Sequence, residues 1–183
     1  MPRIPYPDLA TIAPERLAIL GYPKKEPLNI TRVALHVADG LWRGHIALKQ
    51  AVVNATTMDP WLREVLIMRV AALAKCEYEL HHHMSISANL GFTPEQQQAI
   101  LGQDYAILTD EERAVAEFTD EVITLLAPTD ATFNKAQRLF GDALLCEMTV
   151  IIASYWGTAM MIGVTGVEPD HAPVVSWDKD EED

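Results

Sequence analysis

Residues able to carry chemistry are concentrated in one stretch of the sequence, Glu64 to Gly91. Cys76, Glu79 and His83 stand at positions i, i+3 and i+7, which at about 100° per residue puts them within roughly 60° of one another on one helix face. Glu79 and His83 are one turn apart and can hydrogen-bond, which orients an imidazole and raises its basicity. Cys76 is expected in the first turn, where the positive helix end favours a thiolate. The spacing predicts acid–base or thiol chemistry.

Glu64 adds a carboxylate to this group from an earlier helix. It stands twelve residues before Cys76 and is followed by the apolar run VLIM. A buried carboxylate without a partner is costly, so we expect Glu64 to have one. Arg69, five residues further on, either pairs with Glu64 or supplies a local cation for an anionic substrate.

Each of these residues also has a purely structural interpretation. A single helical histidine is more often structural than catalytic, and the run His81 to His83 is compatible with a polar face that has one inward member. The pair Glu79-x-x-His82 matches half of a di-iron bundle motif, but that site needs two such pairs and two more glutamates. Consecutive histidines point about 100° apart on a helix, so they do not chelate one ion together. We therefore expect no metal and no cofactor.

The elements that must position these residues are helical throughout. Helix starts are marked at Asp59-Pro60, Thr93-Pro94 and Thr109 by capping residues, and no segment shows strand alternation or a hairpin turn. Six of the eleven prolines fall in the first 27 residues and predict an extended arm. We predict an all-α chain with a proline-rich arm at 1–28, a helical domain at 29–167, and a C-terminal extension with a solvated acidic tail at 168–183.

Composition excludes several classes of protein. With 14 basic and 26 acidic residues the net charge is −12, which leaves no electrostatic footprint for nucleic acid. No uninterrupted apolar run approaches the ~18 residues of a membrane span, and no apolar stretch follows Arg3 as in a secretory signal. Two cysteines, Cys76 and Cys146, do not make a disulfide framework. We expect a cytoplasmic protein that binds neither membranes nor nucleic acid.

One helix predicts self-association. The segment Glu147 to Ile162 reads EMTVIIASYWGTAMMI and carries a single charge at its start. A helix that is apolar on nearly all sides is buried on nearly all sides, and a bundle of this size achieves that most simply through a subunit interface. We expect a homo-oligomer, a trimer or a hexamer.

The motif resembles that of a known family. Glu64, eleven residues, Cys76, two residues, Glu79, three residues and His83 are similar to the signature of the alkylhydroperoxidase D-like superfamily, which includes the carboxymuconolactone decarboxylases. The string CEYEL followed by two histidines looks like the decarboxylase-like branch, as do RIP at the start and GFT after the motif. The resemblance extends over about residues 3–167. It implies an alkylhydroperoxidase D-like helical bundle whose protomers assemble as dimers, trimers or hexamers.

The sequence departs from the superfamily signature at Glu79. In the peroxidase branch a second cysteine stands there and resolves the sulfenic acid of the first, and a carboxylate has no such reactivity. Cys146, in an apolar helix, is a poor substitute. A self-sufficient disulfide cycle is therefore not expected.

The leading interpretation is an acid–base enzyme of the decarboxylase-like branch. Decarboxylation, isomerisation or hydration of a small cyclic or lactone carboxylic acid requires a positioned base and acid in a dry pocket. His83 would be the base, oriented by Glu79, and buried Glu64 would be its acid partner or would hold the network together. Cys76 and Tyr78 would line the pocket.

Two aromatic residues and two alternatives complete the hypothesis. Tyr155 and Trp156 would form the apolar wall of the substrate pocket. The first alternative is an alkylhydroperoxidase-like thiol peroxidase in which Cys76 reacts and an external thiol resolves it. The second is a catalytically silent oligomeric protein that retains the pocket and binds a small molecule.

Overall fold

The computed structural model describes residues 1–175, and within that range it contains α-helices, two short 3-10 turns and no strand. The predicted all-α class is confirmed. The helices are α1 (Pro14–Ile19), α2 (Asn29–Ala34), α3 (Asp39–Asn54), α4 (Pro60–Leu73), α5 (Glu77–Leu90), α6 (Pro94–Gly102), α7 (Asp110–Leu125) and α8 (Asp130–Thr165).

Helix α4 is the centre of the bundle. It packs against α5, α6, α7 and α8, and its residues from Arg63 to Ala71 are all buried. Arg69 is satisfied away from Glu64: it pairs with Asp120 and donates to the backbone carbonyls of Ile100 and Leu101, both at 3.0 Å. The suggested Arg69–Glu64 pair is therefore absent, and Arg69 supplies no cation to the predicted site.

Predicted capping residues set the helix starts. Asp59 accepts hydrogen bonds from the first backbone amides of α4. Thr93 with Gln96, and Thr109 with Glu112, form reciprocal capping boxes at α6 and α7, in which each side chain satisfies an amide that the helix leaves unpaired. These starts are confirmed, and they fix the orientation of α4 and hence of Glu64.

Helix α8 contains a break at Gly141. Its φ of 75° and ψ of 168° are open to glycine and strained for other residues. The element is therefore two helices joined at a kink. Beyond the kink, Met148, Ile151 and Tyr155 face the core.

Both ends of the described chain lie on the domain itself. The backbone amides of Arg3 and Ile4 donate to the carbonyl of Thr165 at 2.8 and 3.1 Å, and an imidazole nitrogen of His36 lies 2.8 Å from the carbonyl oxygen of Pro5. The start of the arm thus packs on its own protomer. The acidic stretch 178–183 lies outside the described residues.

The outer face of α8 is apolar and uncovered in the single protomer. Val150, Met160 and Val164 are 49%, 56% and 68% exposed, and they recur at helical spacing on one side. We expect a second copy of this chain to cover this face, giving a trimer or hexamer. Light scattering at micromolar concentration checks this, and a stable species of 20.3 kDa would contradict it. Met160→Glu should dissociate the assembly, whereas Leu126→Glu, at a still more exposed apolar position outside α8, should not.

Helix α8 is also long and apolar enough to cross a membrane by length and composition alone. Polar residues interrupt its apolar sequence, so it contains no long uninterrupted apolar run. Within the described residues it is the single helix that meets this test, and 44% of its most apolar stretch is buried inside the protein. The core helix of a soluble protein meets the same test, so this is weak evidence and establishes no membrane location.

Candidate active site

A buried imidazole lies between two carboxylates at the contact of α4 and α5. Nδ1 of His83 is 2.7 Å from Oε2 of Glu64, and its Nε2 is 3.4 Å from Oε2 of Glu79. The exposed fractions of Glu64, His83 and Glu79 are 0%, 1% and 6%. The sequence predicted the Glu79–His83 pair. Of the two glutamates that contact His83, Glu64 is the closer. The three groups form a row that runs from the interior towards Glu79.

This arrangement favours the protonated form of His83. Burial alone would lower the pKa of the imidazole, but the charge and hydrogen bond of Glu64, joined by those of Glu79, outweigh burial and raise the pKa to about 9. Burial likewise acts to raise the pKa of Glu79, yet the hydrogen bond from His83 and the charge of Lys49 bring that pKa below its ordinary value. At neutral pH His83 is therefore an imidazolium, and Glu79 beside it is a carboxylate.

Glu79 and His83 line a cavity of about 440 Å³. One wall is α3, with His45 and Lys49, and another is the segment 19–31 of the arm. Tyr155 of α8 also lines it; its ring lies edge-on to His83, with centroids 5.3 Å apart, and carries the Lys49 ammonium over its face at 4.2 Å. The volume is that of a small-ligand site, and Tyr155 forms part of its wall.

Cys76 does not share a face with the carboxylate row. It is the N-cap residue of α5, with φ −93° and ψ 90°, so the angular spacing of a helix does not extend to it. It lines a second cavity of about 230 Å³ together with Tyr78 and residues of α8. The expectation of one face for Cys76, Glu79 and His83 is corrected on this point.

The expected thiolate character of Cys76 is also corrected. Burial raises the pKa of the thiol, and the charge of Glu79 raises it further. Backbone amides of Glu79 and Tyr78 at the helix start, with Lys49, favour the thiolate but do not offset burial. Cys146, the other thiol, is exposed on α8.

The remaining residues singled out from the sequence occupy different parts of the structure. Tyr78 lines both cavities. Trp156 is half-buried and packs against the main hydrophobic core, so it is not part of the wall that the sequence predicted, because it points to another side of α8 than Tyr155 does. Two of the three consecutive histidines, His82 and His83, are buried, one more than the expected single inward member.

Residues 43–121 match the model of the carboxymuconolactone decarboxylase family. The family resemblance is confirmed. The matched region contains Lys49, Glu64, Cys76, Glu79 and His83, and so includes the whole carboxylate–imidazole row.

Several solved structures share the fold of this chain. A peroxidase-related protein from Ralstonia eutropha JMP134, described as an alkylhydroperoxidase D core, superposes with TM-score 0.79 at 19% identity over 93% of each chain. A peroxidase-related protein from Silicibacter sp. TM1040 gives 0.75 at 12% identity over 92% of this chain and 90% of its own. The apo debrominase Bmp8 gives 0.69 at 18% identity over 91% and 88%. The chain has the alkylhydroperoxidase D-like fold. No curated protein gives a significant match.

Among residues 1–175, no group of three or more histidine, cysteine, aspartate and glutamate side chains is arranged to hold a metal ion. The half-motif Glu79-x-x-His82 is divided, since Glu79 contacts His83 and His82 contacts Asp170.

Sequence reasoning missed a second network, centred on Asp170. Its carboxylate lies 3.1 Å from Nε2 of His82, accepts the hydroxyl proton of Tyr78, and accepts the backbone amide of Asn29 at 2.9 Å. Nδ1 of His82 accepts the amide of Val174 at 3.0 Å, so the Nε2–H of the neutral ring donates to Asp170. This network fastens the segment 168–175 to α5 and to the start of α2. No local spacing in the sequence predicts it.

Replacing Asp170 with alanine is expected to lower the free energy of unfolding by about 2 kcal/mol, because Tyr78 and His82 lose a charged hydrogen-bond partner. Burial acts to raise the pKa of Asp170, but hydrogen bonds from His82, Tyr78 and Asn29 outweigh it and hold the pKa below the ordinary 3.8. The contribution is therefore complete above about pH 4 and is lost as the pH falls further. Urea unfolding at pH 7 and pH 3 measures both effects.

Glu168→Ala is the matched control for Asp170→Ala. Glu168 lies two residues earlier and pairs with the N-terminal amine at 2.6 Å, but both groups are exposed, and such pairs contribute little. Equal losses of stability in the two variants would contradict the role given to Asp170.

Proposed function

We propose that this protein is an acid–base enzyme that moves a proton next to a carbonyl group of a small cyclic or lactone carboxylic acid. The observation that carries the proposal is the row Glu64–His83–Glu79, which is buried at one end and reaches the 440 Å³ cavity at Glu79. Three ionisable groups in contact inside a protein are a candidate catalytic device, because burial and neighbouring charge tune their proton affinities.

The geometry supports a revised division of roles. His83 has a pKa raised to about 9 and is an imidazolium at neutral pH, so it serves as the proton donor rather than the resting base. Glu79, ionised and adjacent to the cavity, is the group that accepts a proton from carbon. Glu64 holds Nδ1 and balances the charge of the ring, which makes it a positioning residue.

Two reactions fit these roles. In an isomerisation, Glu79 removes a proton from a carbon beside the carbonyl, the electron pair passes into that carbonyl, and the proton is returned to another carbon. In a decarboxylation, the bond to the carboxyl carbon breaks, CO₂ leaves, the electron pair passes into the carbonyl, and His83 replaces the lost group with a proton through Glu79. Both reactions benefit from the limited solvent access of the row.

The cavity supports a small substrate with an apolar body. Its lining includes apolar side chains from the arm, α2 and α3: Ile19, Leu20, Leu28, Ile30, Ala34, Ile46 and Val53. A single ring fits a cavity of this volume, and the apolar walls leave orientation to the few polar groups present. Because the thiols are expected to stay reduced, we propose a cytoplasmic setting.

The second candidate is a thiol peroxidase that uses Cys76 with an external thiol. Two proteins of the same fold are described as peroxidase-related, and backbone amides at the start of α5 favour a thiolate. Against it stand the raised pKa of the Cys76 thiol and its position in a cavity other than that of Glu79 and His83.

Solvent hydrogen exchange separates the two candidates. Wild-type protein is incubated in D₂O with a panel of five-membered lactone carboxylates and cyclic 2-oxo acids, and loss of ring C–H signal is followed by NMR. We expect exchange or CO₂ release on at least one member, retained in Cys76→Ser. Absence of reaction across the panel, together with peroxide turnover that Cys76→Ser abolishes, would refute the proposal.

A further inference from the structure

The proposed proton transfer leaves unused an amine on the cavity wall, Lys49 of α3. Its Nζ lies 4.2 Å from the centroid of the Tyr155 ring and the side chain lines the cavity. Within residues 1–175, Lys49 forms no ion pair at or below 4.0 Å. An aromatic face attracts a cation, but it stabilises the charge of an ammonium group less than water or a carboxylate does.

The surroundings of Lys49 leave its charge incompletely compensated. Burial lowers the pKa of the amine, and the charges of Glu79 and Cys76 offset this only in part. His45, one turn earlier on α3, lines the same cavity, and burial and the charge of Lys49 both lower its pKa. The α3 wall is thus a place where an incoming anion gains from the electrostatics.

Glu79 brings the opposite charge to the same cavity. It is ionised beside His83, and the exposed pair Lys25 and Glu26, which also lines the cavity, is neutral in sum. A substrate carboxylate is attracted to Lys49 and repelled by Glu79, so one orientation is favoured. The chain has a net charge of −12, which repels anions. A local cation such as Lys49 favours the entry of an anion into the cavity.

We propose that Lys49 binds the carboxylate of the substrate and thereby holds the adjoining ring with its reactive carbon against Glu79. The inference rests on the proposed function for the reacting end of the substrate, and it adds the residue that selects acids over their neutral analogues. A charge-assisted hydrogen bond in a cavity of low solvent access is among the stronger polar contacts available.

Binding of benzoate and benzamide, measured by isothermal titration calorimetry, tests this assignment. The two probes share ring and shape and differ in charge. Wild-type protein should prefer benzoate. Lys49→Met should weaken benzoate binding by about tenfold or more and leave benzamide binding within about twofold, whereas Lys49→Arg should retain the preference. Circular dichroism confirms that each variant is folded.

Lys24→Met is the matched control, because Lys24 is an exposed lysine outside the cavity lining and its removal changes the net charge equally. It should leave both affinities unchanged. Equal weakening of both probes by Lys49→Met, an equal effect of Lys24→Met, or no preference for benzoate in the wild type would each overturn the assignment.

Glu79→Gln distinguishes failure of this inference from failure of the proposed function. Removing the repelling carboxylate should preserve or strengthen benzoate binding while it stops proton transfer to and from carbon. Selective benzoate binding through Lys49 without any hydrogen exchange in the wild type would refute the proposed function alone. Hydrogen exchange that is equal for acids and amides would refute the role of Lys49 alone.

Discussion

Replacing His83 with alanine is expected to slow hydrogen exchange on a reactive lactone or 2-oxo acid by at least about 100-fold, the contribution of a positioned proton-transfer group. The ring is the link between Glu64 and Glu79, so its removal breaks the row and leaves two buried carboxylates without their shared cation. The rate constant of ring C–H exchange under saturating substrate, followed by NMR in D₂O, measures the loss.

Three further variants decide whether that loss reflects proton transfer. Glu79→Gln keeps the shape of the side chain but accepts no proton, and should lose a comparable factor. Cys76→Ser should retain most of the activity, because Cys76 lines the other cavity. His171→Ala removes an exposed imidazole and should have no effect. An active His83→Ala variant, or an inactive Cys76→Ser variant, would require a different mechanism.

The second large effect concerns stability against pH. The pKa of His83 rises from 6.5 in the unfolded chain to about 9 in the fold, so the folded protein holds this proton more tightly than the unfolded chain. The associated stability is fully present below pH 6.5 and is lost as the pH rises through about 9. A difference of this size corresponds to about 3 kcal/mol. Denaturant unfolding at pH 6, 8 and 10 should show that decline.

His83→Gln isolates this effect from other titrating groups. The variant is expected to be less stable at pH 6, and its free energy of unfolding should lose the decline between pH 6 and 10. NMR titration of the histidine rings in the wild type gives an independent check, with one imidazolium persisting above pH 8. A His83 ring that titrates near 6.5 in the folded protein would contradict the assignment.

The local part of the fold was accessible from sequence. Caps at Asp59, Thr93 and Thr109 were predicted because each depends on residues within one helical turn. The contact of Glu79 with His83 was predicted for the same reason, since both stand in the regular part of α5. Cys76 was misplaced because an N-cap residue leaves helical geometry, and one residue outside the helix is enough to change the cavity that it lines.

Contacts between residues far apart in the sequence could not be predicted from local spacing. Glu64 was expected to need a partner, but the contact with His83 depends on how α4 packs on α5. Lys49 reads as an ordinary lysine of an amphipathic helix, and no periodicity reveals that α3 turns it towards Tyr155. Asp170 stands 88 residues from His82, in a segment with no helical pattern. Such contacts are fixed by tertiary packing, for which a single sequence carries no short-range signal.

The arm wall of the cavity has a consequence for how relatives of this protein diversify. The proton-handling residues lie inside the region 43–121 that matches the family, on helices fixed by the core. The segment 19–31, Tyr155 and Thr158, which enclose the ligand space, lie outside that region. The carboxylate–imidazole row and the Lys49 wall therefore come from the matched region, and the remaining walls come from segments outside it. Under the proposed function, exchange of the segment 19–31 between homologues is expected to alter the shape of the ligand space while the row is kept.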